Sequence, residues 1–380
     1  MTDATPSLGA MTVAVIGTRG YPSYYGGFET AVRRIAPHLV DEGWGVTVYG
    51  RPGTTRDDDA LRDRRILSVT TWGVESQSLS TLSYGLSSVL HAVRTKPDVA
   101  LVMNVANGFW LPLLKLRGIP TLVNVDGIEW ERAKWGRLAK TMFRWGARAT
   151  ARWATGLVFD AQAIGSRWLD DFGRDGFFIP YGGDAAGNLP VEPGLTHRGY
   201  VLVVARFVPE NTILEFVDAA VSLSKTHDVV IVGSSGYGGE VEERVQGLAE
   251  SEERVRWLGH VSDDARLHSL WQHAGAYFHG HSVGGTNPAL VQAMALGAPI
   301  VARDTVYNRE VLGDAGEFVS PDADSIARGI DQVMTDSRRQ DALAARALKR
   351  GRAEYTWEGV CRAYESALLA VQSASTRRKL

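Results

Sequence analysis

Nothing in this chain constrains its fold more than the alternation of short β-rich runs with longer helical patterns from one end to the other. Thr12–Ile16 precedes Phe28–Val40, Val46–Tyr49 follows, and Val99–Met103 precedes Gly108–Leu116. Thr121–Val125, Leu157–Phe159 and Phe177–Ile179 close this first series. A second series opens with Tyr200–Val204 and runs through Val229–Val232, Val255–Leu258, Ala276–Phe278, Pro299–Val301 and Glu317–Val319, each followed by a helix-like segment. The alternation predicts parallel sheets with crossover helices. Between the series, Tyr181–Thr196 is rich in glycine and proline and reads as a linker. The expectation is an α/β protein of two doubly wound domains, residues 1–185 and 186–355. A helical pattern around Trp357–Val371 within 356–380 would pack back across the junction, before a frayed basic tail from Ser373 to Leu380.

A length of 380 residues supports this division, because single cores stop growing below that size. Ligands of doubly wound sheets sit at the carboxyl ends of the strands, so two facing domains would make a cleft between their loop edges. Composition removes several other classes. Hydrophobic residues make up 44% and charged residues 22%, values of a globular chain. A formal net charge of -2 gives no global field for nucleic acid, so none is expected as a partner. Cys361 is the only cysteine, which excludes an internal disulfide framework and fits a reducing cytoplasm. Met1–Met11 lacks the basic and apolar regions of a signal peptide, and no stretch has the length and apolarity of a spanning helix.

Chemistry concentrates where predicted strands end. Gly17-Thr18-Arg19-Gly20 follows the first strand, and Gly26-Gly27-Phe28-Glu29-Thr30 opens the first helix. Glycines there let backbone approach a ligand, and a helix start offers amides to an anion. The spacing is neither a dinucleotide fingerprint nor a Walker loop, and a tight structural turn explains it equally well. Arg206 stands at the end of the first strand of the second series, ahead of Phe207-Val208-Pro209-Glu210-Asn211, where its planar fork could pair with a diphosphate. The fullest signal is Phe278-His279-Gly280-His281-Ser282-Val283-Gly284-Gly285-Thr286-Asn287-Pro288, running on to Gln292. Pro288 suits the first turn of a helix, and the amides of Gly284, Gly285, Thr286 and Asn287 would face a phosphate or sugar.

In the first domain, Asn124-Val125-Asp126-Gly127-Ile128-Glu129-Trp130-Glu131 ends a strand and makes Asp126 the preferred acid/base or sugar-binding group. His279 and His281 have no carboxylate or cysteine at ligand spacing, so no metal site is expected. Asp57-Asp58-Asp59 sits in an arginine-rich polar stretch and reads as a solvated loop. Beyond Asp126, Lys134, Arg137, Lys140, Arg144, Arg148 and Arg152 recur at spacings of three or four. Trp135, Leu138, Met142, Trp145, Ala149 and Trp153 recur on a neighbouring face. This 134–153 helix could rest on an anionic bilayer, or be an ordinary helix whose apolar face joins the core.

The motifs Ile16-Gly17-Thr18-Arg19-Gly20, Tyr25-Gly26-Gly27-Phe28-Glu29-Thr30, Asp126-Gly127-Ile128-Glu129-Trp130, Pro180-Tyr181-Gly182-Gly183-Asp184 and Gly280 to Pro288 together resemble glycosyltransferase family 4. Within it, the likeness is to the rhamnosyltransferase-like proteins of bacterial polysaccharide synthesis. The likeness extends from about Thr12 to Val371. It implies a retaining GT-B enzyme with two Rossmann-like domains, a nucleotide diphosphate sugar as co-substrate, no metal or other cofactor, and a saccharide acceptor that is lipid-linked. It further implies donor or phosphate roles for Gly26, Gly27, Arg206, Gly285, Thr286 and Gln292; Arg19, Asn211, His281, Gly284 and Asn287 are expected to join them, and Asp126, Arg206 and Glu29 are the expected catalytic set. Departures stand out. Asn211 replaces a common lysine, Gly284 and Gln292 replace two glutamates, and Asp126 replaces a histidine. A glutamine bonds a ribose hydroxyl more weakly than a carboxylate, which a deoxyribose donor would tolerate.

The implied place is the cytoplasm, peripheral on the inner face of the membrane. Two other readings share the architecture: a nucleotide-sugar 2-epimerase, and a non-catalytic partner that binds the sugar nucleotide without turnover.

Overall fold

The computed structural model describes residues 10–24, 26–56, 58–75, 80–132, 135–236 and 238–377. Tyr25, Asp57, Lys134 and the ends at 1–9 and 378–380, on which some of the expectations above fall, lie outside the described residues. Two compact units make up the chain: Met1–Pro180 with Glu358–Leu380, and Tyr181–Trp357.

The first unit runs β1 (Thr12–Ile16), α1 (Gly27–Asp41), β2 (Gly45–Gly50), β3 (Leu67–Thr70), α2 (Ser80–Thr95) and β4 (Val99–Met103). A 3-10 segment Val105–Trp110 leads into α3 (Leu111–Arg117) and β5 (Thr121–Asn124). A 3-10 turn Glu129–Glu131, α4 (Arg137–Trp153), β6 (Gly156–Phe159), α5 (Gln162–Phe172) and β7 (Phe177–Phe178) follow. Its seven strands are parallel in the order β3-β2-β1-β4-β5-β6-β7. Helices cover both faces of such a sheet, which is why β4 and β5 are buried at every position and read as unbroken apolar runs.

The second unit runs β8 (Tyr200–Val204), α6 (Ile213–Leu223), β9 (Asp228–Val232), α7 (Glu240–Ser251), β10 (Val255–Trp257), α8 (Asp264–His273) and β11 (Ala276–His279). Then come α9 (Pro288–Ala295), β12 (Ile300–Arg303), α10 (Val306–Leu312), β13 (Glu317–Val319), α11 (Ala323–Met334) and α12 (Ser337–Glu354). The six strands are again parallel, ordered β10-β9-β8-β11-β12-β13. Phe216 of α6 stacks on Phe278 of β11 at 5.2 Å in a core shared with Val201, Val203, Ile231 and Ile326. The last helix, α13 (Trp357–Arg377), belongs to the first unit from Glu358 onward. Its Glu365 takes hydrogen bonds from Trp44 Nε1 and pairs with His38 Nε2, both at 3.3 Å, and its Tyr364 hydroxyl accepts from Asn124 Nδ2 at 2.6 Å.

Several expectations change in detail. β3 and α2 were not foreseen. The helix expected over Gly108–Leu116 is a 3-10 segment followed by α3, whose second residue is Pro112. α13 continues through Ser373 to Arg377, so the described part of the expected tail is helical. The expected linker is tied along its length to the second unit. Leu189 N–H donates to Gln272 Oε1 at 2.8 Å, Gln272 Nε2 donates to Gly187 O at 2.9 Å, and Arg266 pairs with Glu192 at 2.6 Å.

On α4 it is the core reading of the expected apolar face that is corrected. Phe143, Gly146, Ala147 and Thr150 are its buried side, whereas Leu138 and Trp145 are 85% and 56% exposed. Close approach decides this. A Cβ on Gly108 would run into Gly146 O and Thr150 Oγ1, and one on Gly146 would stand 2.7 Å from Val105 O, so two glycines let the helix sit flat on the 3-10 segment.

Candidate active site

Strand order reverses between β8 and β11 in the second unit, and the loops leaving these two neighbours diverge to opposite sides of the sheet. That switch point is where a doubly wound sheet holds ligands. The loop after β8 carries Arg206, a 3-10 turn Pro209–Asn211, and Thr212, whose φ of 56° places it in the left-handed region before α6. The loop after β11 carries Gly280 to Asn287. Side chains sew the two together. Thr212 Oγ1 donates to Gly280 O at 2.6 Å, Asn211 Oδ1 meets His281 Nδ1 at 2.6 Å, and Ser282 N–H donates to Glu210 O at 2.9 Å. Arg303, from the end of β12, donates to Thr212 Oγ1 at 3.0 Å, and Asn308 Nδ2 donates to His281 O at 3.0 Å.

This network revises the residue roles. Asn211 Nδ2 donates to Arg206 O at 2.8 Å, which leaves Oδ1 as the end facing His281. His281 Nδ1 therefore donates to Asn211 Oδ1. Asn211, expected to hold the donor, instead braces the two loops and is buried. Asn287 is likewise committed: its Oδ1 accepts from Ala289 N–H at 2.9 Å and caps α9, with Pro288 in the first turn. Gln292, expected to reach a ribose, spends both ends of its carboxamide on one residue. Asp184 N–H donates to Oε1 and Nε2 donates to Asp184 O, each at 2.9 Å. The glycine-rich segment Gly182-Gly183-Asp184 is thereby pinned to α9, and a Cβ on Gly183 would stand 2.6 Å from Val291 O.

What remains at the switch point has the character of an anion site. Arg206 is exposed and forms no ion pair with any described residue. Gly284, with φ of 92°, and Gly285 lead into α9; Pro288 has no N–H and the Ala289, Leu290 and Val291 N–H groups are taken by Asn287, so the main chain of the glycine loop, on the positive side of the helix dipole, is what faces an anion. Thr286 is buried beside them. Just beneath, burial and then the neighbouring His281 push the His279 imidazole down to about 3, so it is neutral, with Nδ1 at 3.1 Å from the Tyr277 hydroxyl. Among the described residues no group of three or more His, Cys, Asp or Glu is placed to hold a metal ion.

In the first unit the switch point lies between β1 and β4. Gly17 has φ of 91°, and a Cβ there would meet Met103 O and stand 2.6 Å from Asn107 Nδ2. Glu29, expected among the catalytic groups, is buried and accepts the Arg19 N–H at 3.0 Å, so it holds the Gly17–Gly20 loop onto the start of α1. Gly26 caps that helix in extended backbone and Gly27 opens it.

Arg51, which sequence reading passed over, stands at the end of β2. Its N–H donates to Arg19 O at 3.1 Å and its guanidinium lies 5.0 Å from the Tyr84 ring centroid. Burial, then the Arg19 charge, lowers its affinity for the proton, the mark of two guanidiniums held near each other. An arginine at a strand's carboxyl end was the signal available, the same one that singled out Arg206.

Asp126 sits in the left-handed region at φ of 60°, a conformation aspartate tolerates better than most residues. Asn124 Oδ1 accepts its N–H at 2.9 Å and Arg132 lies 3.8 Å from its carboxylate. Arg132 is itself held by Glu129 at 2.5 Å, and Glu129 takes the Trp135 indole N–H at 2.9 Å. Burial, with Asp160 and Asp126 adding repulsion, raises the Tyr364 hydroxyl well above the usual tyrosine range. Asp126 is thus an oriented carboxylate at a strand end, next to a group supplied by α13.

Comparison with known proteins matches both units. A model described as "Glycosyl transferase 4-like domain" covers residues 26–182, and one described as "Glycosyl transferases group 1" covers residues 191–350. The phosphatidyl-myo-inositol mannosyltransferase of Mycolicibacterium smegmatis is 32% identical over 210 residues, 52% of this chain and 53% of that protein. The O-antigen chain mannosyltransferase B of Escherichia coli is 25% identical over 169 residues, 43% of this chain and 44% of that one. The chain therefore spans about half the length of the curated relatives it matches. Among solved structures, sucrose-phosphate synthase from Thermosynechococcus elongatus superposes with a TM-score of 0.76 at 16% identity, over 96% of this chain and all of the other. Anabaena HepE in complex with UDP gives 0.72 at 17% identity, over 95% of this chain and all of the other. With a family model on each unit and this fold, the chain belongs to the GT-B glycosyltransferases, of the family 4 type.

Proposed function

We propose that this protein is a retaining glycosyltransferase that moves a hexose from a nucleotide diphosphate donor to a saccharide acceptor. The observation that carries the reading is the switch point of the second unit, where exposed Arg206 and the Gly284–Gly285 loop ahead of α9 lie on two loops joined by the Asn211–His281 bond at 2.6 Å. Such a pair of positive ends suits a leaving diphosphate. In the step, the bond from the anomeric carbon to the diphosphate oxygen breaks, and the acceptor oxygen bonds to the same face of that carbon. The hydroxyl proton passes to the departing phosphate, and Arg206 and the main-chain amides of the Gly284–Gly285 loop stabilise the charge that develops. This chemistry needs no metal, so activity should persist in EDTA. Asp126, oriented by Asn124 and near Arg132, is the group assigned to the acceptor side.

A lipid-linked acceptor in cell-surface polysaccharide synthesis, met at the inner face of the membrane, is supported by the surface of α3 and α4. Leu116 of α3 is 85% exposed next to exposed Arg117, and α4 carries Leu138, also 85% exposed, together with exposed Arg144, Trp145 and Arg148. A named relative acting on phosphatidyl-myo-inositol supports it too. The motif resemblance favours a rhamnosyl donor, whereas the named relatives are mannosyltransferases.

The test incubates wild type and Arg206→Ala in EDTA with dTDP-rhamnose, GDP-mannose and UDP-glucose, with and without lipid-linked saccharide. Acceptor-dependent release of nucleotide, reduced about a hundredfold in the variant at unchanged Tm, supports transfer. Acceptor-independent conversion of the sugar identifies an epimerase instead, and binding without release identifies a non-catalytic partner.

A further inference from the structure

Glu210 is a buried polar side chain at the switch point of the second unit that the network above does not use. Its backbone is fixed: Ser282 N–H and Oγ both donate to its carbonyl, at 2.9 and 3.0 Å, so the residue is stitched to the entry of the glycine-rich loop. Its side chain is 6% exposed, and both carboxylate oxygens are buried with no hydrogen-bond partner among the described residues. The polar side chains that join these loops are bonded elsewhere: Asn211 to Arg206 O and His281, Thr212 to Gly280 O and Arg303, Asn308 to His281 O and Arg303 O. Buried carboxylates are ordinarily paired or hydrogen-bonded, because leaving one bare forfeits its hydration without return. The positive end of α6, beginning at Ile213, offsets part of this cost but supplies no bond. Cost of this kind is kept where a ligand completes the group.

We propose that Glu210 recognises vicinal hydroxyls of the sugar carried by the nucleotide donor, which makes it a specificity residue of the second unit. The inference rests on the donor-binding reading above and adds the part of the donor that is read. Charge decides against the phosphates, since an acceptor-only group repels them. Two carboxylate oxygens match two O–H donors on adjacent carbons of a pyranose. A bound cation is the other chemistry that could satisfy Glu210, but no cluster of three potential ligands forms among the described residues.

The test compares wild type and Glu210→Gln by calorimetry, using UDP, GDP and dTDP alone and then UDP-glucose, GDP-mannose and dTDP-rhamnose. Expected is unchanged affinity for the free diphosphate, affinity for the matching nucleotide-sugar about tenfold weaker, and a Tm no lower than wild type. A deoxy-sugar donor lacking one contacted hydroxyl should bind both proteins alike. Equal affinity for the nucleotide-sugar overturns the proposal. So does a parallel loss for the free diphosphate, which would mark a structural effect. Stabilisation of wild type by Mg2+ or Mn2+ alone, absent in the variant, overturns it in favour of a cation. A wild type that binds none of the six nucleotides overturns this inference and the donor reading together.

Discussion

Gln292→Glu is the substitution that separates a brace from a ligand contact. The wild-type carboxamide both accepts from Asp184 N–H and donates to Asp184 O, at 2.9 Å each, from a side chain 9% exposed. A carboxylate keeps the first bond and strengthens it, but it has no proton for the second. Asp184 O would then face a negative oxygen at hydrogen-bond distance. Leaving one buried acceptor unsatisfied costs about 1–3 kcal/mol, and the gain on the surviving bond returns at most about 1 kcal/mol of it. A net loss of about 2 kcal/mol lowers the Tm of a unit of this size by roughly 4–8 °C.

The sign of the pH dependence is also fixed. The introduced carboxyl has its folded pKa raised above the unfolded value of about 4.3, because only the protonated form can donate to Asp184 O. The deficit is therefore full near neutral pH and shrinks as pH falls through that raised pKa. Differential scanning calorimetry of ligand-free protein at pH 7.5 and about pH 5 reads both effects. A variant with wild-type Tm at both pH values, and altered nucleotide affinity alone, would refute the brace and restore Gln292 to the donor.

Two further outcomes follow from described features. His279 is held down to about 3 in the folded state, whereas an unfolded histidine takes its proton near 6.5. Acidification below pH ~6.5 thus favours unfolding by up to about 1.4 kcal/mol per pH unit, a component His279→Leu should lack. Parallel urea stability curves for the two proteins from pH 7 to 4.5 would contradict this. On the α4 surface, Arg144→Ala with Arg148→Ala should weaken flotation on phosphatidylglycerol vesicles about thirtyfold, at roughly 1 kcal/mol per arginine. Leu138→Ser with Trp145→Ser should weaken it at low and high salt alike, and binding that survives both pairs would sink the membrane reading.

Sequence made the layout legible where one physical requirement dominates. Strands buried on both faces must be apolar throughout, so β1, β4, β8 and β11 stood out, and Pro288 marked the first turn of α9. α2 escaped because its buried side is mostly small or polar, with Ser80, Gly85, Ser87, Ser88 and Ala92 around Tyr84 and Val89. β3 escaped because it is short and largely exposed. Of the two readings of the α4 apolar face, the core one failed for a related reason: backbone approach at Gly108 and Gly146 chose the buried side, against the larger apolar side chains.

At the candidate site, residue types pointed to strand-end loops but not to the bonds between them. Asn211 and His281 are 70 residues apart, and Asp184 and Gln292 are 108 apart. Nothing local distinguishes an amide that meets a ligand from one spent on a distant main chain. Arg51 and Glu210 differ in kind, since a strand-end arginine could have been flagged, whereas a bare buried carboxylate is visible only once its surroundings are known.

The division of the first unit into two chain segments has a consequence for biosynthesis. Residues 12–180 leave the ribosome well before the helix that completes their fold, because all of Tyr181–Trp357 is translated in between. During that interval the faces of His38, Trp44 and Asn124 that later meet Glu365 and Tyr364 have no partner from α13. The second unit, continuous in sequence, has no such wait. It can reach its native core first, so the half of the molecule assigned here to the donor matures ahead of the half assigned to the acceptor, although its codons come later.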